Sequence, residues 1–255
     1  MNIVIIGSGN VATQLGKAFQ QAGHTILQVY SRTQANAIAL ASLLHTDPVH
    51  DLRLLNEQAD LYLLAVSDQA IAEVATQLPQ NIQGIVVHSS GATDISILRR
   101  FSAYGVIYPP QSINKQIEVS LQQVPFGIEG NNSAVAKKLL HLIQDISTKP
   151  FSCTSEQRLA LHTAAVFANN FTNALFDISY QILKDHALPF DLLKPIIAQT
   201  AENVQHHTPA SVQTGPAKRK DQQTMNKHLQ FLSEKPRWIK IYQQLSEEIA
   251  SKDVP

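Results

Sequence analysis

A glycine-rich turn near the start of the chain constrains its fold more than any other sequence feature. Residues 7–12 read G-x-G-x-x-A and directly follow a short apolar run at residues 3–6. In such a turn the first glycine permits a tight bend, the second lets a pyrophosphate approach the backbone, and the following helix offers free amide donors to the phosphates. The motif therefore predicts a Rossmann-type dinucleotide-binding unit. The residues expected to contact the cofactor are Gly7, Ser8, Gly9, Asn10 and Val11.

The order of apolar runs predicts two domains of different class. Up to about residue 150, short β-branched runs alternate with helical patterns, which is typical of βαβ units in a mainly parallel sheet. After Pro150 the alternation stops, Thr154 and Gln157 have the spacing of a capping box, and roughly 30 residues follow without glycine or proline. We therefore expect an α/β protein with a Rossmann-type domain at residues 1–152 and an all-helical domain, built on one long helix, at residues 153–255.

Local periodicity predicts the individual elements. Strands are expected at residues 3–6, 26–30, 61–66, 85–88, 105–107 and 126–129. Amphipathic helices are expected around residues 11–19, 70–78 and 135–146, and later helices at residues 191–205, 221–233 and 236–251.

The end of the second predicted strand indicates which dinucleotide is bound. A domain that prefers NAD usually carries an acidic residue there, which bonds the ribose 2′-hydroxyl. This chain has Ser31, Arg32 and Thr33 instead. A guanidinium can pair with a 2′-phosphate and two hydroxyls can donate to it, so NADP(H) is the expected cofactor. The alternative is an ordinary polar turn with an exposed arginine.

Turns after two further strands are expected to complete the cofactor site, because ligands of open α/β sheets lie beyond the carboxyl ends of the strands. These residues are Val66, Ser67, Asp68, Ser89, Ser90 and Gly91. Asp68 can equally cap the helix that follows it. His88 begins the second of these turns, and it can line the cleft or equally be a core histidine bonded to the backbone.

Composition argues against several classes of partner. Lys and Arg together number 20, as do Asp and Glu, so no net field attracts nucleic acid or an anionic membrane. No apolar run approaches the roughly 18 residues of a membrane span, and the chain starts directly on a strand, so we expect a soluble and unprocessed protein. With Cys153 as the single cysteine and no CxxC or HExxH spacing, we expect no disulfide, no metal site and a cytoplasmic location.

Four short motifs stand at the ends of the predicted strands, and they read GSGNVA, SRT, AVSD and HSSGA. Together they resemble the 6-phosphogluconate dehydrogenase-like superfamily of two-domain, NADP-dependent reductases. The resemblance is strongest to Rossmann-like proteins that pair an H-x-A-A-V-F-x-x-N-F helix with a T-G-P-x-x-R-x-D loop, matched here by residues 162–171 and 214–221. It covers nearly the whole chain. Relatives include pyrroline-5-carboxylate reductases, ketopantoate reductases and deazaflavin-dependent NADP reductases, so the resemblance implies the cofactor more strongly than the reaction.

The chain departs from this family pattern in ways that bear on the reaction. Many relatives have a histidine where this chain has Tyr108. The β-hydroxyacid dehydrogenases carry a Lys-x-x-x-Asn pair on the long helix, where this chain has His162 and Val166. The second departure argues against oxidation of a 3-hydroxyacid. The small-residue signature of pyrroline-5-carboxylate reductases is also missing.

Polar residues on the predicted long helix form the candidate reaction centre. His162, Asn169 and Asn173 share one helix face, and Asn170 lies about a quarter-turn away. We predict that His162 transfers a proton beside the nicotinamide, while Asn170 or Asn169 orients the substrate. The alternative is a solvated stripe, or a buried histidine–asparagine pair that belongs to the core.

Two residues outside this helix are predicted to bind the substrate. Arg219 lies in a Gly-Pro turn with two lysines and can hold a carboxylate or phosphate, while Asp221 either fixes that arginine or caps the next helix. The alternative is a solvated surface loop. Tyr108, after the strand at residues 105–107, is the next candidate acid.

These features together predict an NADP(H)-dependent oxidoreductase. It would transfer a hydride between the nicotinamide and a small carbonyl or imine substrate held between the two domains. One alternative is a non-catalytic NADP(H)-binding sensor or scaffold, and another is a reductase that passes hydride to a deazaflavin or flavin. A helix about 45 Å long with apolar residues around its circumference also predicts a homodimer through the helical domain.

Overall fold

The computed structural model describes residues 1–112 and 120–251. The chain forms two compact units, Met1–Asn170 and Phe171–Pro255, which we name the sheet unit and the helical unit. The sheet unit includes the first part of the predicted long helix. The division into domains after residue 152 remains a prediction.

One sheet organises the sheet unit. Its strands among the described residues are β1 (Asn2–Ile6), β2 (Thr25–Tyr30), β3 (Asp47–Val49), β4 (Leu61–Leu64), β5 (Ile85–His88), β6 (Tyr104–Tyr108), β7 (Pro125–Gly130) and β8 (Lys149–Ser152). They lie in the order β3-β2-β1-β4-β5-β6-β7-β8. Neighbours are parallel except β6 and β7, which are antiparallel. The order of the first six strands is that of a Rossmann-type sheet, which brings the ends of β1, β2, β4 and β5 to one edge.

Helices cover both faces of this sheet. They are α1 (Asn10–Gln21), α2 (Gln34–Leu43), α3 (Asp68–Gln77) and α4 (Ser133–Gln144). Ile3 and Ile5 of β1 pack into a core with residues of α1, α2 and α4, whereas Val4 and Ile6 pack into a second core with residues of α3. Burial on both faces explains why the central strands are continuous apolar runs.

The predicted long helix is present, with a wider turn in its middle. It consists of α5 (Ser155–Ala165), a π-helical segment (Val166–Phe171) and α6 (Thr172–Asp185). Thr154 and Gln157 form the predicted capping box at its start. The α-helices that follow it are α7 (Lys194–His206), α8 (Gln222–Phe231) and α9 (Pro236–Ser251).

The predicted fold class is confirmed. Each of the six predicted strands is present, the longest deviation being at β4, which ends two residues early. Among the strands and α-helices of the described residues, α2, β3 and β8 were not predicted. Short single-turn helices also lie at Leu52–Leu54, Ile95–Leu98, Leu121–Gln123 and Phe190–Leu193.

Candidate functional site

The glycine-rich turn leads from β1 into α1. Gly7 has a φ of +123°, a conformation that favours glycine, and a Cβ at this position would lie 2.2 Å from the Ala65 carbonyl oxygen. Gly9 is the N-cap of α1, and apart from its own neighbours along the chain no atom of the described residues lies within 4 Å of a Cβ built there. The backbone at Gly9 is therefore open to a ligand, beside helix amides that lack intrahelical partners. This geometry fits a pyrophosphate.

A cavity of about 370 Å³ opens beside this turn, and we name it the turn cavity. The predicted cofactor residues that line it are Gly7, Ser8, Gly9, Ser31, Arg32, Val66 and Ser67. One face of α3 forms another wall through Ala70, Glu73, Val74 and Gln77. The end of β2 adds Tyr30. Polar and apolar walls of this kind suit the adenosine half of a dinucleotide.

The end of β2 places a cation and a hydroxyl at the turn cavity, and this hydroxyl is hydrogen-bonded to one from the glycine-rich turn. Arg32 is exposed, whereas Ser31 is only 8% exposed. Ser31 Oγ and Ser8 Oγ are 2.9 Å apart and share a hydrogen bond. Burial raises the pKa of Tyr30, Arg32 acts in the opposite direction, and Asp51 and Glu73 raise it further. Arg32 therefore supplies the positive charge here, while Glu73 contributes a negative charge to the same cavity.

Four other residues, predicted to bind the cofactor at the ends of β1, β2 and β4, do not line the turn cavity. Asn10 and Val11 begin α1, and Thr33 is the N-cap of α2. Asp68 is the first residue of α3, and the N-cap position belongs to Ser67. The alternative reading of Asp68 as the capping residue is therefore wrong by one position.

The turn after β5 is held by hydrogen bonds of its own. His88 is completely buried, and its Nδ1 accepts a hydrogen bond from the Ser90 amide at 3.2 Å. Ser90 Oγ accepts from the amides of Ala92 and Thr93. Burial and the Arg158 guanidinium lower the pKa of His88 to about 4, against the opposing effect of Asp94. His88 is thus a neutral core histidine bonded to backbone, which was the alternative reading of its sequence.

A second cavity of about 360 Å³, the His162 cavity, contains the candidate reaction centre. Tyr108 Oη and His162 Nδ1 are 3.1 Å apart and share a hydrogen bond, and the two rings meet edge to face. Asn169 and Asn170 line the same cavity. Burial raises the pKa of Tyr108, whereas the Arg158 guanidinium lowers it and Asp68 raises it. The cavity therefore joins a phenol, an imidazole and two amides, which can together exchange a proton and orient a polar substrate.

Gly91 allows the tyrosine and the histidine to meet. A Cβ built on Gly91 would lie 2.7 Å from His162 Cγ and Nδ1 and 2.8 Å from Tyr108 Cε2. Such distances are shorter than van der Waals contact, so any larger residue would displace one ring. Gly91, predicted as a cofactor contact, thus lies against the residues predicted to carry the chemistry.

The π-helical segment changes which asparagines share a site. The sequence placed His162, Asn169 and Asn173 on one face and Asn170 to the side. The structure places both Asn169 and Asn170 in the His162 cavity, and Asn173 is not among its lining residues. The backbone hydrogen bonds of a π-helix join residues i and i+5. The side chains within and after the segment therefore point in other directions than they would on a regular α-helix, which explains the difference.

Arg219 and its loop belong to the helical unit. Arg219 is exposed and is not among the residues that line either cavity. Asp221 caps α8, because its carboxylate accepts hydrogen bonds from the amide and hydroxyl of Thr224. This confirms the capping reading of Asp221. Substrate binding by Arg219 remains a prediction.

Several residues at these sites were missed from the sequence. Tyr30, Glu73 and Gln77 line the turn cavity, and the i, i+4 spacing of the last two on the helix after AVSD was an available signal. Arg158, which lies behind the reaction centre, offered no such signal, because its partners Glu129 and Thr93 are distant in sequence. Within residues 1–112 and 120–251, no three His, Cys, Asp or Glu residues group together as metal ligands do. No helix in the described part of the chain has both the length and the apolar character needed to cross a membrane.

Comparison with protein families agrees with this architecture. Residues 1–113 match the Rossmann-like domain, and residues 124–249 match a domain of unknown function, DUF2520. The chain belongs to the Rossmann-like family with a DUF2520 C-terminal domain. The sequence resemblance to this group of two-domain proteins is thereby confirmed.

Solved structures resemble this DUF2520 protein over most of its length. A Bacteroides fragilis protein described as a candidate NADP oxidoreductase has 36% identity and a TM-score of 0.89, with 98% of each chain covered. A 1-pyrroline-5-carboxylate reductase from Streptococcus pyogenes has 15% identity and a TM-score of 0.66, again over 98% of each chain. A reductive aminase from Aspergillus terreus, in complex with NADPH and ethyl-5-oxohexanoate, has 13% identity and a TM-score of 0.65, over 80% of this chain and 75% of its own. The last two show the shared fold. A search of the curated proteins found no match.

Proposed function

We propose that this DUF2520 protein is an NADP(H)-dependent oxidoreductase that acts on a small carbonyl or imine compound. The observation that carries the proposal is the Tyr108–His162 hydrogen bond in a cavity that Asn169 and Asn170 also line. A nucleotide-binding turn in the same compact unit supports it. The similarity to a candidate NADP oxidoreductase at 36% identity supports it further.

The residues of the turn cavity hold the cofactor in this proposal. The amides after Gly9 receive the pyrophosphate, Arg32 pairs with the 2′-phosphate, and the α3 face that carries Val74 packs against the adenosine. NADPH supplies a hydride when bound. The protein contributes position and electrostatics.

The residues of the His162 cavity handle the proton. His162 and Tyr108 share one hydrogen bond, so the residue that gives a proton to the substrate can take the shared proton from the other, and solvent then returns the missing proton to the pair. Asn169 and Asn170 orient the substrate oxygen or nitrogen through their amide groups. The cavity volume of about 360 Å³ suits a small organic molecule.

The test measures NADPH oxidation with a panel of small aldehydes, ketones and cyclic imines. We expect His162→Gln and Tyr108→Phe to bind NADPH as the unchanged protein does and to lower turnover by about 10²–10⁴. His141→Gln, on the exposed side of α4, is the matched control and should retain full turnover. Undiminished turnover in a folded His162→Gln would remove His162 from the mechanism. NADPH binding with no turnover of any compound would favour a sensor, and turnover only with a deazaflavin would favour a redox partner.

A homodimer formed through the helical unit and a cytoplasmic location complete the proposal. Large apolar side chains of the helical unit are exposed, including Leu192 and Ile196, and a second copy of the chain would cover them. Cys153 is a free cysteine, as suits a reducing compartment.

A further inference from the structure

Arg158 lies one helical turn before His162 on α5, and its side chain is completely buried. Its guanidinium forms an ion pair with Glu129 on β7. It also donates to the Thr93 carbonyl oxygen at 2.5 Å and to Ser155 Oγ at 3.1 Å. One arginine therefore links α5, β7 and the loop after β5.

Ser155 closes this network from the first turn of α5. Its amide and its hydroxyl both donate to the Glu129 carboxylate, at 3.0 and 2.9 Å, and its Oγ accepts from the Ile95 amide at 3.1 Å. The start of the helix that carries His162 is consequently fixed to both neighbouring segments. A buried ion pair is often no better for stability than apolar residues of the same size, so stability alone does not account for this arrangement.

Two partners of Arg158 lie next to the other members of the reaction centre. Thr93 is two residues from Gly91, on which a Cβ would collide with both His162 and Tyr108. Glu129 is two residues from Gly127, which pairs with Tyr108 between β7 and β6. The same guanidinium thus fixes the helix that bears His162, the loop that bears Gly91 and the strand beside Tyr108.

We propose that Arg158 is a positioning residue, which holds His162 within hydrogen-bond distance of Tyr108. The proposal deepens the proposed function and rests on it, because the His162–Tyr108 pair is the proposed reaction centre. Arg158 itself is too deeply buried to touch a substrate.

The charge of Arg158 adds a second effect at the same place. Tyr108 contacts the imidazole of His162, and the charges of Arg158 on α5 and of Asp68 at the start of α3 act on it electrostatically. Arg158 lowers the pKa of Tyr108, against burial and against Asp68. Loss of the guanidinium would therefore raise this pKa and make the phenol a weaker proton donor.

The experiment compares Arg158→Met and Arg158→Lys with a matched control. Arg100→Met removes another guanidinium with backbone partners, the carbonyl groups of Ala75, Thr76 and Leu78, from a place outside the reaction centre. Long-range ¹H–¹⁵N spectra of the full chain report the hydrogen bond at His162 Nδ1, with Tyr108→Phe as the reference for its loss. This measurement requires no substrate.

We expect Arg158→Met to move the His162 Nδ1 resonance to its position in Tyr108→Phe, Arg158→Lys to restore part of the difference, and Arg100→Met to leave it unchanged. Turnover should fall at least tenfold in Arg158→Met, with NADPH affinity changed less than twofold. If Arg158→Met does not fold, Glu129→Gln replaces it and should move the resonance in the same direction. An unchanged His162 resonance in the folded variant overturns the positioning role. Absence of turnover in the unchanged protein overturns the proposed function alone, because the spectra test the positioning role of Arg158 without any turnover.

Discussion

Burial of His88 lowers its pKa, and the effect of this change on the stability of the fold can be measured. Because Nδ1 accepts a hydrogen bond from the Ser90 amide, the proton of the neutral imidazole is on Nε2. Its pKa falls from 6.5 to about 4 in the folded protein, through burial first and the Arg158 guanidinium second. The unfolded chain therefore binds a proton at higher pH than the folded chain does.

This difference predicts how stability depends on pH. Well above pH 6.5 His88 is neutral in both states and contributes nothing to the difference. As the pH falls from 6.5 to about 4, the unfolded state gains the proton first, and the folded state loses up to about 3 kcal/mol of stability. His88→Asn keeps an acceptor for the Ser90 amide without titrating. Urea unfolding at several pH values should therefore show a shallower pH dependence for His88→Asn, and parallel curves would contradict the assigned pKa.

Arg32 is the residue from which cofactor preference is expected. We predict that NADPH binds at least tenfold more tightly than NADH, because an exposed guanidinium stands where an acid would repel the 2′-phosphate. Arg32→Ala should weaken NADPH binding by about 10- to 100-fold and leave NADH binding unchanged. Arg53→Ala, at an exposed arginine outside the turn cavity, is the control. Calorimetric titration with both cofactors checks this, and equal losses for both would assign Arg32 to the pyrophosphate or the fold.

At the level of elements, the periodicity of apolar residues predicted the strands and helices that are long or deeply buried. The central strands β1, β4 and β5 are continuous apolar runs and were predicted from the sequence. β3 was missed because it has three residues, one of them Pro48, at the edge of the sheet. β8 was missed because it is short and contains no buried residue. α2 lacks an apolar stripe, since its alanines and leucines are spread around the helix.

The candidate site likewise has a part that could be predicted from the sequence and a part that could not. The glycine turn and Arg32 are local signals, so the turn cavity could be predicted in outline. The meeting of Tyr108 with His162 joins residues 54 apart in sequence, and it depends on the packing of α5 against β6 and the Gly91 loop. The π-helical segment depends on backbone hydrogen bonds that residue types alone do not specify. Both features therefore required the structure.

The π-helical segment makes a prediction about the two asparagines within it. Consecutive residues of a regular α-helix point about 100° apart, yet Asn169 and Asn170 line one cavity. Asn169→Ala and Asn170→Ala should each raise KM or lower kcat by about 3- to 10-fold, as expected for one lost neutral hydrogen bond, and should leave NADPH affinity unchanged. Asn173→Ala, one turn further on, is the matched control and should behave as the unchanged protein. An effect of Asn173→Ala equal to the other two would favour the regular helical face instead.

The two units of the whole molecule differ sharply in burial. The sheet unit has two apolar cores with many completely buried side chains. Among the described residues, by contrast, α6, α7 and α8 contain no buried residue at all. Exposed large apolar residues of the helical unit include Leu188, Leu192, Ile196, Val204 and Phe231. A helical unit with so little core gains little stability from its own packing, which favours a second copy as its partner.

We therefore predict a homodimer whose interface includes the exposed apolar face of α7. Light scattering at micromolar concentration should give twice the mass of one chain. Specific, stable interfaces commonly bury about 1,200–2,000 Å² of surface with an apolar centre, and the exposed apolar residues of α7 suit such a centre. Ile196→Lys places a charge on this face, where Ile196 is 64% exposed, and should shift the protein towards monomer and lower its melting temperature. Leu54→Lys is the matched control, since Leu54 is 63% exposed in the sheet unit, and it should leave the dimer intact. A monomer at micromolar concentration would contradict the dimer, and a dimer unaffected by Ile196→Lys would place the interface elsewhere.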